Sequence, residues 1–142
     1  ETLGDRHPDT LASIGQLGFV LKDKGDLDGA EPLVREALDG HHKVFGDRHR
    51  RTLVSIGHYA DLLRQKGDLS RALTAMGATP QEARDTFGTD DVATLVLEAQ
   101  AALTGIALGS ADAKAELRQI VARMKAALGE EHPKTVKYSK LI

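Results

Sequence analysis

The amino-acid sequence predicts an all-α solenoid of helix hairpins, and three observations carry that prediction. His7-Pro8-Asp9-Thr10-Leu11 returns 42 positions later as His49-Arg50-Arg51-Thr52-Leu53, and Lys24-Gly25-Asp26-Leu27 returns at the same offset as Lys66-Gly67-Asp68-Leu69. A fixed offset of this size marks an array of like repeats, each burying its apolar face on the next. Between these landmarks apolar residues recur at spacings of three and four, the stripe of an amphipathic helix. The loops that remain are short, which makes neighbouring helices antiparallel. The echo continues through Phe87-Gly88-Thr89, Thr94-Leu95 and Gly109, and a fourth opening at Leu128-Gly129-Glu130-Glu131-His132-Pro133 arrives one residue early. The expected organisation is a single solenoid over 1–142, with repeat 1 at 7–48, repeat 2 at 49–90, repeat 3 at 91–131 and a partial repeat 4 at 132–142.

In repeat 1 the first stripe is Leu11, Ile14, Leu17, Gly18 and Leu21, with Asp9 or Thr10 as the expected N-cap and Gly25 as the stop. Leu27, Ala30, Leu33, Val34, Ala37 and Leu38 form the second stripe, and Phe45-Gly46-Asp47 closes the repeat. Repeat 2 copies the first helix through Leu53, Ile56, Tyr59, Ala60 and Leu63. Its second helix starts with Leu69, Ala72, Leu73 and Met76, then meets Gly77-Ala78-Thr79-Pro80. Proline in a helix interior lacks the amide and clashes with the preceding turn, at a cost of about 3 kcal/mol. Thr79, Pro80 and Glu82 read as N-cap, first helical residue and capping-box partner of a fresh start. The sequence therefore predicts one helix ending near Gly77 and a short one from Pro80 to Thr86, with a kinked helix as the alternative. Repeat 3 is expected to be helical from Val92 to Leu108 and from Ala111 to Leu128, close-packed through Ala99, Ala101, Ala102 and Ala107. Glu98 stands where Ile14 and Ile56 stood, so either its carboxylate reaches the groove rim or the helix rotates; a buried unpaired charge is too costly. Residues 134–142 form a stub that should fray or lean on the preceding helix.

Composition narrows the function. With 41% hydrophobic and 28% charged residues the chain has a globular balance, and three Phe with two Tyr leave its core to Leu, Ile, Val and Ala. A formal net charge of -2 gives no case for nucleic acid, which wants a clustered basic face; Asp47-Arg48-His49-Arg50-Arg51 is expected in a solvated turn. Cysteine is absent, which removes disulfides, thiolate metal sites and thiol nucleophiles. No apolar stretch approaches a membrane span and no secretory signal pattern stands out, so the expectation is a cytoplasmic protein without a membrane partner.

The run from Thr10-Leu11-Ala12-Ser13-Ile14 to Gly25-Asp26, then Ala30-Glu31-Pro32-Leu33 and Glu36-Ala37-Leu38, closed by Phe45-Gly46-Asp47 and His49, resembles the 42-residue tetratricopeptide repeat of kinesin light chains and nephrocystin-3. The resemblance covers nearly the whole chain and is strongest in repeat 1. It implies a right-handed superhelix of antiparallel helix hairpins whose first helices line a concave groove. It also implies a non-catalytic protein-protein interaction module within a larger multidomain signalling protein. The family's small and apolar signature falls on Gly18, Leu21, Gly25, Leu27, Ala30 and Ala37. Its groove positions fall on Gly15, Gln16, Phe19, Lys22 and Asp23, then on Gly57, His58, Asp61, Arg64 and Gln65, then on Ala99, Gln100 and Leu103. The chain departs from kinesin light chains in carrying Gly15-Gln16 and Gly57-His58 where an asparagine pair is common. The carboxylate-clamp set of lysine, asparagine and arginine is not matched either, Lys22 and Arg64 being the only basic residues at these positions.

Gln16, His58 and Gln100 recur at the repeat offset and are expected to stack as a polar ladder able to hydrogen-bond a peptide main chain, with Phe19 and Leu103 supplying apolar contact. The expected peptide-binding residues are thus Gln16, Phe19, Lys22, His58, Asp61, Arg64, Gln65, Gln100 and Leu103. The bland reading is that these are solvated first-helix residues. His41, His42 and His49 gather at one junction, but they lack metal-motif spacing and the adjacent pair points in different directions on a helix, so no metal or other cofactor is expected. His7, His49 and His132 are expected to serve the junctions, bonding a neighbouring turn or capping the following helix. No phosphate-cradling glycine loop, nucleophile elbow or H-E-x-x-H pattern occurs, and His58 near Asp61 has no nucleophile, so no catalysis is expected. The alternative from another class is a structural spacer or self-assembly array, associating through apolar terminal faces.

Overall fold

The structure is a computed structural model that describes residues 7–142, and among these residues every regular element is a helix. In order they are α1 (Pro8–Asp23), α2 (Leu27–Phe45), α3 (Arg50–Gln65), α4 (Leu69–Met76), α5 (Thr79–Phe87), α6 (Val92–Ala107), α7 (Ala113–Leu128) and α8 (Pro133–Ser139). They fall into two compact units that divide between Ala75 and Met76.

The 42-residue echo is an echo of boundary chemistry. The N-cap of α1 is His7, whose Nδ1 accepts the Asp9 amide at 3.1 Å. His49 does the same for Arg51 at 3.1 Å, and His132 for Lys134 at 3.1 Å. Asp91 fills the position before α6, its Oδ1 accepting from the Ala93 amide at 2.9 Å. The expectation of Asp9 or Thr10 as the first cap is corrected. Pro8 carries a φ preset for the first helical position and lacks an amide that would go unpaired there, so the cap falls on the residue before it. Asp9 instead sits in the first turn, where its charge complements the helix dipole. At the other end Gly25 turns the chain at φ +86°, a conformation that strains any side-chain-bearing residue, and Asp26 caps α2 through the Gly29 amide at 2.9 Å.

In the first unit α1 packs on α2 and α2 on α3. Gly18 makes the first contact close: a methyl there would lie 3.0 Å from Val34 Cγ2. Ala30 and Val34 then form a cluster with Leu62 of α3, bordered by Leu21, Leu27 and Tyr59. Two residues assigned to the apolar stripes lie outside: Leu17 is 52% exposed and Leu73 56%. Leu17 is one residue, about 100° of helix rotation, away from Gly18, so it turns off the side that meets α2.

The break after Met76 occurs as the proline required, with α5 restarting at Thr79 and Pro80 in its first turn. The capping box is corrected: Ala78 is the N-cap, without a side-chain bond, and the Thr79 side chain is buried. The second unit is centred on Leu95, Ala99 and Ala102 of α6, Leu117, Ile120, Val121 and Met124 of α7, and Tyr138 of α8. Tyr138 holds the final short helix against α7, as a stub too short to stand alone requires. Glu98 follows neither expected course. It is buried and paired twice, accepting from Arg123 Nη1 at 2.6 Å and from Arg84 Nε at 3.0 Å and Nη2, while Arg123 Nη2 also reaches the Thr89 carbonyl at 2.6 Å.

Candidate functional site

Within the first unit α1, α2 and α3 surround an open hollow of about 340 Å³. Its floor is apolar: Leu11 and Phe19 come from α1, Val34 and Ala37 from α2, and Val54 from α3. Gly15 keeps it open, since a methyl there would fill space 3.9 Å from Ala37 Cβ. Gln16, His41, Ser55 and His58 add polar edges, and Arg50 and Arg51 of the first turn of α3 bring positive charge. The expected solvated turn over residues 47–51 is corrected to this extent, because Arg50 and Arg51 are helical, although exposed.

Ring contacts fix the walls. Phe19 meets the His58 ring edge-on, with centroids 4.4 Å apart and planes at 77°, and Lys22 Nζ lies 4.9 Å from the Phe19 centroid. His41 Nδ1 is 2.5 Å from Ser55 Oγ, and the Thr52 hydroxyl donates to the His41 carbonyl at 3.1 Å, so one residue ties α2 to α3 twice. Burial, with help from the positive charge of Arg51 and from His49, holds the His41 pKa below its ordinary 6.5, which keeps the ring neutral at pH 7. Beside it Phe45 stacks on His49 at 4.4 Å, and the Arg51 guanidinium lies 5.4 Å from the Phe45 centroid. His42 turns the other way, to Asp47 at 2.8 Å, as adjacent helix positions must. Among the described residues no group of three or more His, Asp or Glu side chains converges as a metal site would require.

Four of the expected contact residues form a separate cluster. The Asp61 carboxylate accepts from Lys22 Nζ at 3.3 Å, Arg64 Nη2 at 2.5 Å and Gln65 Nε2 at 2.9 Å. A third cluster was not legible in the sequence. Glu31 accepts from Lys66 at 2.6 Å, Arg71 at 2.9 Å and Arg35 at 3.2 Å, and Tyr59 Oη is 2.7 Å from Arg35 and 2.9 Å from Arg71. Hydrogen bonds from Lys66 and then Arg71 hold the Glu31 carboxyl below its usual range.

Comparison with known proteins fits this geometry. Residues 9–77 match the tetratricopeptide repeat family. Residues 9–77 carry tetratricopeptide repeats. Two crystal structures of nearly identical TPR-like repeats, from a Podosopora anserina protein described as a kinesin light chain, have the same fold. One superposes with a TM-score of 0.73 at 21% identity, covering 89% of this chain and 60% of that one. The other gives 0.72 at 23% identity, covering 96% and 65%. The chain thus spans less than two thirds of the length of either. No curated protein matches the sequence.

The remaining expected residues, Gln100 and Leu103, lie in the second unit. Gln100 is buried, and its Oε1 has no hydrogen-bond partner among the described residues. Leu103 packs on the edge of the α6–α7 core and borders a hollow of about 250 Å³ with Ile106, Lys114, Arg118 and Leu141. Four polar groups that line the hollow were missed as contact residues: His41, Arg50, Arg51 and Ser55. Family groove positions lie on first helices only, whereas His41 belongs to a second helix and the arginines to a first turn. The signal available for His41 was its place four residues after Ala37, on the stripe of α2 that faces inward. None of the described helices is long and apolar enough to cross a membrane.

Proposed function

We propose that this chain is a non-catalytic interaction module that takes a peptide or protein segment into the hollow formed by α1, α2 and α3. The observation that supports this reading most is the combination of an apolar floor, built around Phe19 and Leu11, with hydrogen-bonding groups at Gln16, Ser55 and His58 along its edges. Ligand sites have this composition: apolar surface supplies the driving force, and a few placed polar groups set orientation. Phe19 is the anchor, Gln16 and His58 read the main chain, and Lys22, Asp61, Arg64 and Gln65 hold the neighbouring helices in register. The cavity admits one or two side chains of the bound segment, and the rest of that segment runs over the rim.

A peptide array probed with the chain, followed by fluorescence anisotropy on the peptides retained, tests this reading. Phe19→Ala and the paired Gln16→Ala, His58→Ala variant, each with unchanged helicity by circular dichroism, should weaken binding at least tenfold. Retained peptides that bind both variants as well as the native chain would overturn it. A second reading, a spacer whose repeats associate through their ends, is favoured by one observation, the exposed Leu17 and Val20 on α1. An array that retains no peptide would select it.

A further inference from the structure

We infer that Arg35, Tyr59 and Arg71, brought together from α2, α3 and α4, form a receptor for a phosphate monoester. The site shares no residue with the hollow and does not depend on the reading given to it. Tyr59 sets its centre. The tyrosine ring is held against Ala30, Val34 and Leu62, which gives the hydroxyl a fixed place. Arg35 Nη2 donates to that oxygen at 2.7 Å and Arg71 Nη2 at 2.9 Å, so both of its lone pairs are occupied. The hydroxyl hydrogen is left to donate, and no described residue accepts it. The guanidiniums are underused as well. Their Nη2 hydrogens go to Tyr59 and Glu31, and one Nη1 hydrogen of Arg71 goes to Asp68 at 3.3 Å. Arg35 keeps its Nε and Nη1 hydrogens, and Arg71 its Nε and one Nη1 hydrogen, with no acceptor among the described residues. Arg35 is 51% exposed and Arg71 45%, so these donors are open to a ligand.

Charge and donor number specify the ligand. Glu31, 15% exposed, anchors both guanidiniums and the Lys66 ammonium, and cancels one of their three positive charges. The remaining +2 is about what a phosphate monoester neutralises at pH 7. Two further carboxylates stand at the rim, Asp28 at 3.0 Å from Lys66 and Asp68 on Arg71 Nη1; Asp28 is 91% exposed, so solvent and salt screen its repulsion. A carboxylate ligand has two oxygens, which a single guanidinium satisfies, whereas donors arriving from three helices suit the three terminal oxygens of a phosphate. The repeat itself does not demand these residues. At the 42-residue offset Arg35 corresponds to Gly77, Tyr59 to Leu17 and Ala101, and Arg71 to Gly29 and Ala113. Elsewhere the array is built with small or apolar residues at these places, so the cluster is an addition to the scaffold.

The probes are phosphoserine blocked at both ends, inorganic phosphate and acetate, each titrated at constant ionic strength with backbone amide shifts and the melting midpoint as readouts. Blocked phosphoserine should give saturable shifts centred on residues 31–35, 59 and 66–71 and raise the midpoint. Acetate should bind at least tenfold more weakly. Tyr59→Phe, which loses only the hydroxyl, should weaken phosphoserine at least threefold and Arg35→Gln at least tenfold, while Asp68→Asn, which keeps a capping oxygen, should tighten it. A cluster that only clamps the helices would lose stability in these variants yet give no saturable response in the native chain. Absence of saturation with blocked phosphoserine, or binding that Tyr59→Phe and Arg35→Gln leave unchanged at retained helicity, would overturn the inference. So would inorganic phosphate binding at least tenfold more tightly than blocked phosphoserine, since it would make the free anion the ligand.

Discussion

Replacing Asp61 by Asn should destabilise the first unit by about 2–3 kcal/mol, although the substitution removes no bulk. The Asp61 side chain is 6% exposed, Lys22 is 11% exposed and Arg64 24%. Removing one member of a buried ion-paired set costs about 3–5 kcal/mol, because the cations left behind have neither water nor a counter-charge. An exposed pair is worth only about 0–1 kcal/mol. Lys22 stands near the first limit and Arg64, which can rotate outward and rehydrate, nearer the second, which sets the intermediate value. Asparagine retains an oxygen that can accept from Gln65, so Asp61→Ala should cost more than Asp61→Asn. Urea denaturation followed by circular dichroism measures the change, and for a chain of this size a loss of about 2–3 kcal/mol should lower the melting midpoint by about 5–10 °C. A double-mutant cycle with Lys22→Met isolates the pair. If Asp61→Asn falls within about 0.5 kcal/mol of the native chain, the cluster is not a buried charge network and the reasoning fails. The same variant separates stability from recognition, since peptide affinity per folded molecule should be unchanged if Lys22 and Asp61 are consumed by each other.

The His41 ring titrates below 6.5 in the folded chain and near 6.5 when unfolded, so its contribution is complete above pH 6.5 and is lost as pH falls from 6.5 through the lower folded value. Unfolding free energy measured from pH 8 to pH 5 should decline across that window, and His41→Gln should flatten the decline. Gly40→Ala ought to help a helix by about 1 kcal/mol on propensity alone. The new methyl would overlap the buried Leu11 side chain, and overpacking costs about 1–3 kcal/mol, so thermal melts should show net destabilisation, relieved in part by Leu11→Val. Glu98→Ala should cost about 1–2 kcal/mol in urea titrations, held to that range because Arg84 and Arg123 are 43% and 32% exposed and recover water when the carboxylate is gone.

Most of the helix plan was legible because it is local. Gly25 and Gly67 mark their turns through backbone conformation, and Pro80 announces a break through its missing amide. The first cap was also read at Asp9 or Thr10, two or three residues late, because both are good capping types, while the proline before them sets the position at His7. Leu17 and Leu73 satisfied the helical period, yet a period identifies an apolar face without identifying its neighbour. Glu98 was expected at the groove rim or on a rotated helix, because its partners Arg84 and Arg123 lie 14 and 25 positions away. The candidate site was legible only in part for the same reason. Gln16, Phe19 and His58 do meet in one hollow, but Lys22 pairs across 39 positions with Asp61, and His41 enters from a helix that repeat arithmetic over first helices leaves out.

The histidine caps fix more than helix ends. An imidazole nitrogen that accepts a backbone amide carries no hydrogen, so a neutral ring at His7, His49 or His132 must keep its single proton on Nε2. Each of these junctions therefore presents a donor pointing away from the helix it starts, whereas the Asp91 junction presents only acceptors. Nitrogen chemical shifts should register one tautomer at all three histidines. The His49 and Asp91 junctions thus display opposite hydrogen-bonding polarity at equivalent positions of the sequence repeat, and a ligand or neighbouring loop crossing these corners would meet a chemical address where the fold alone offers none.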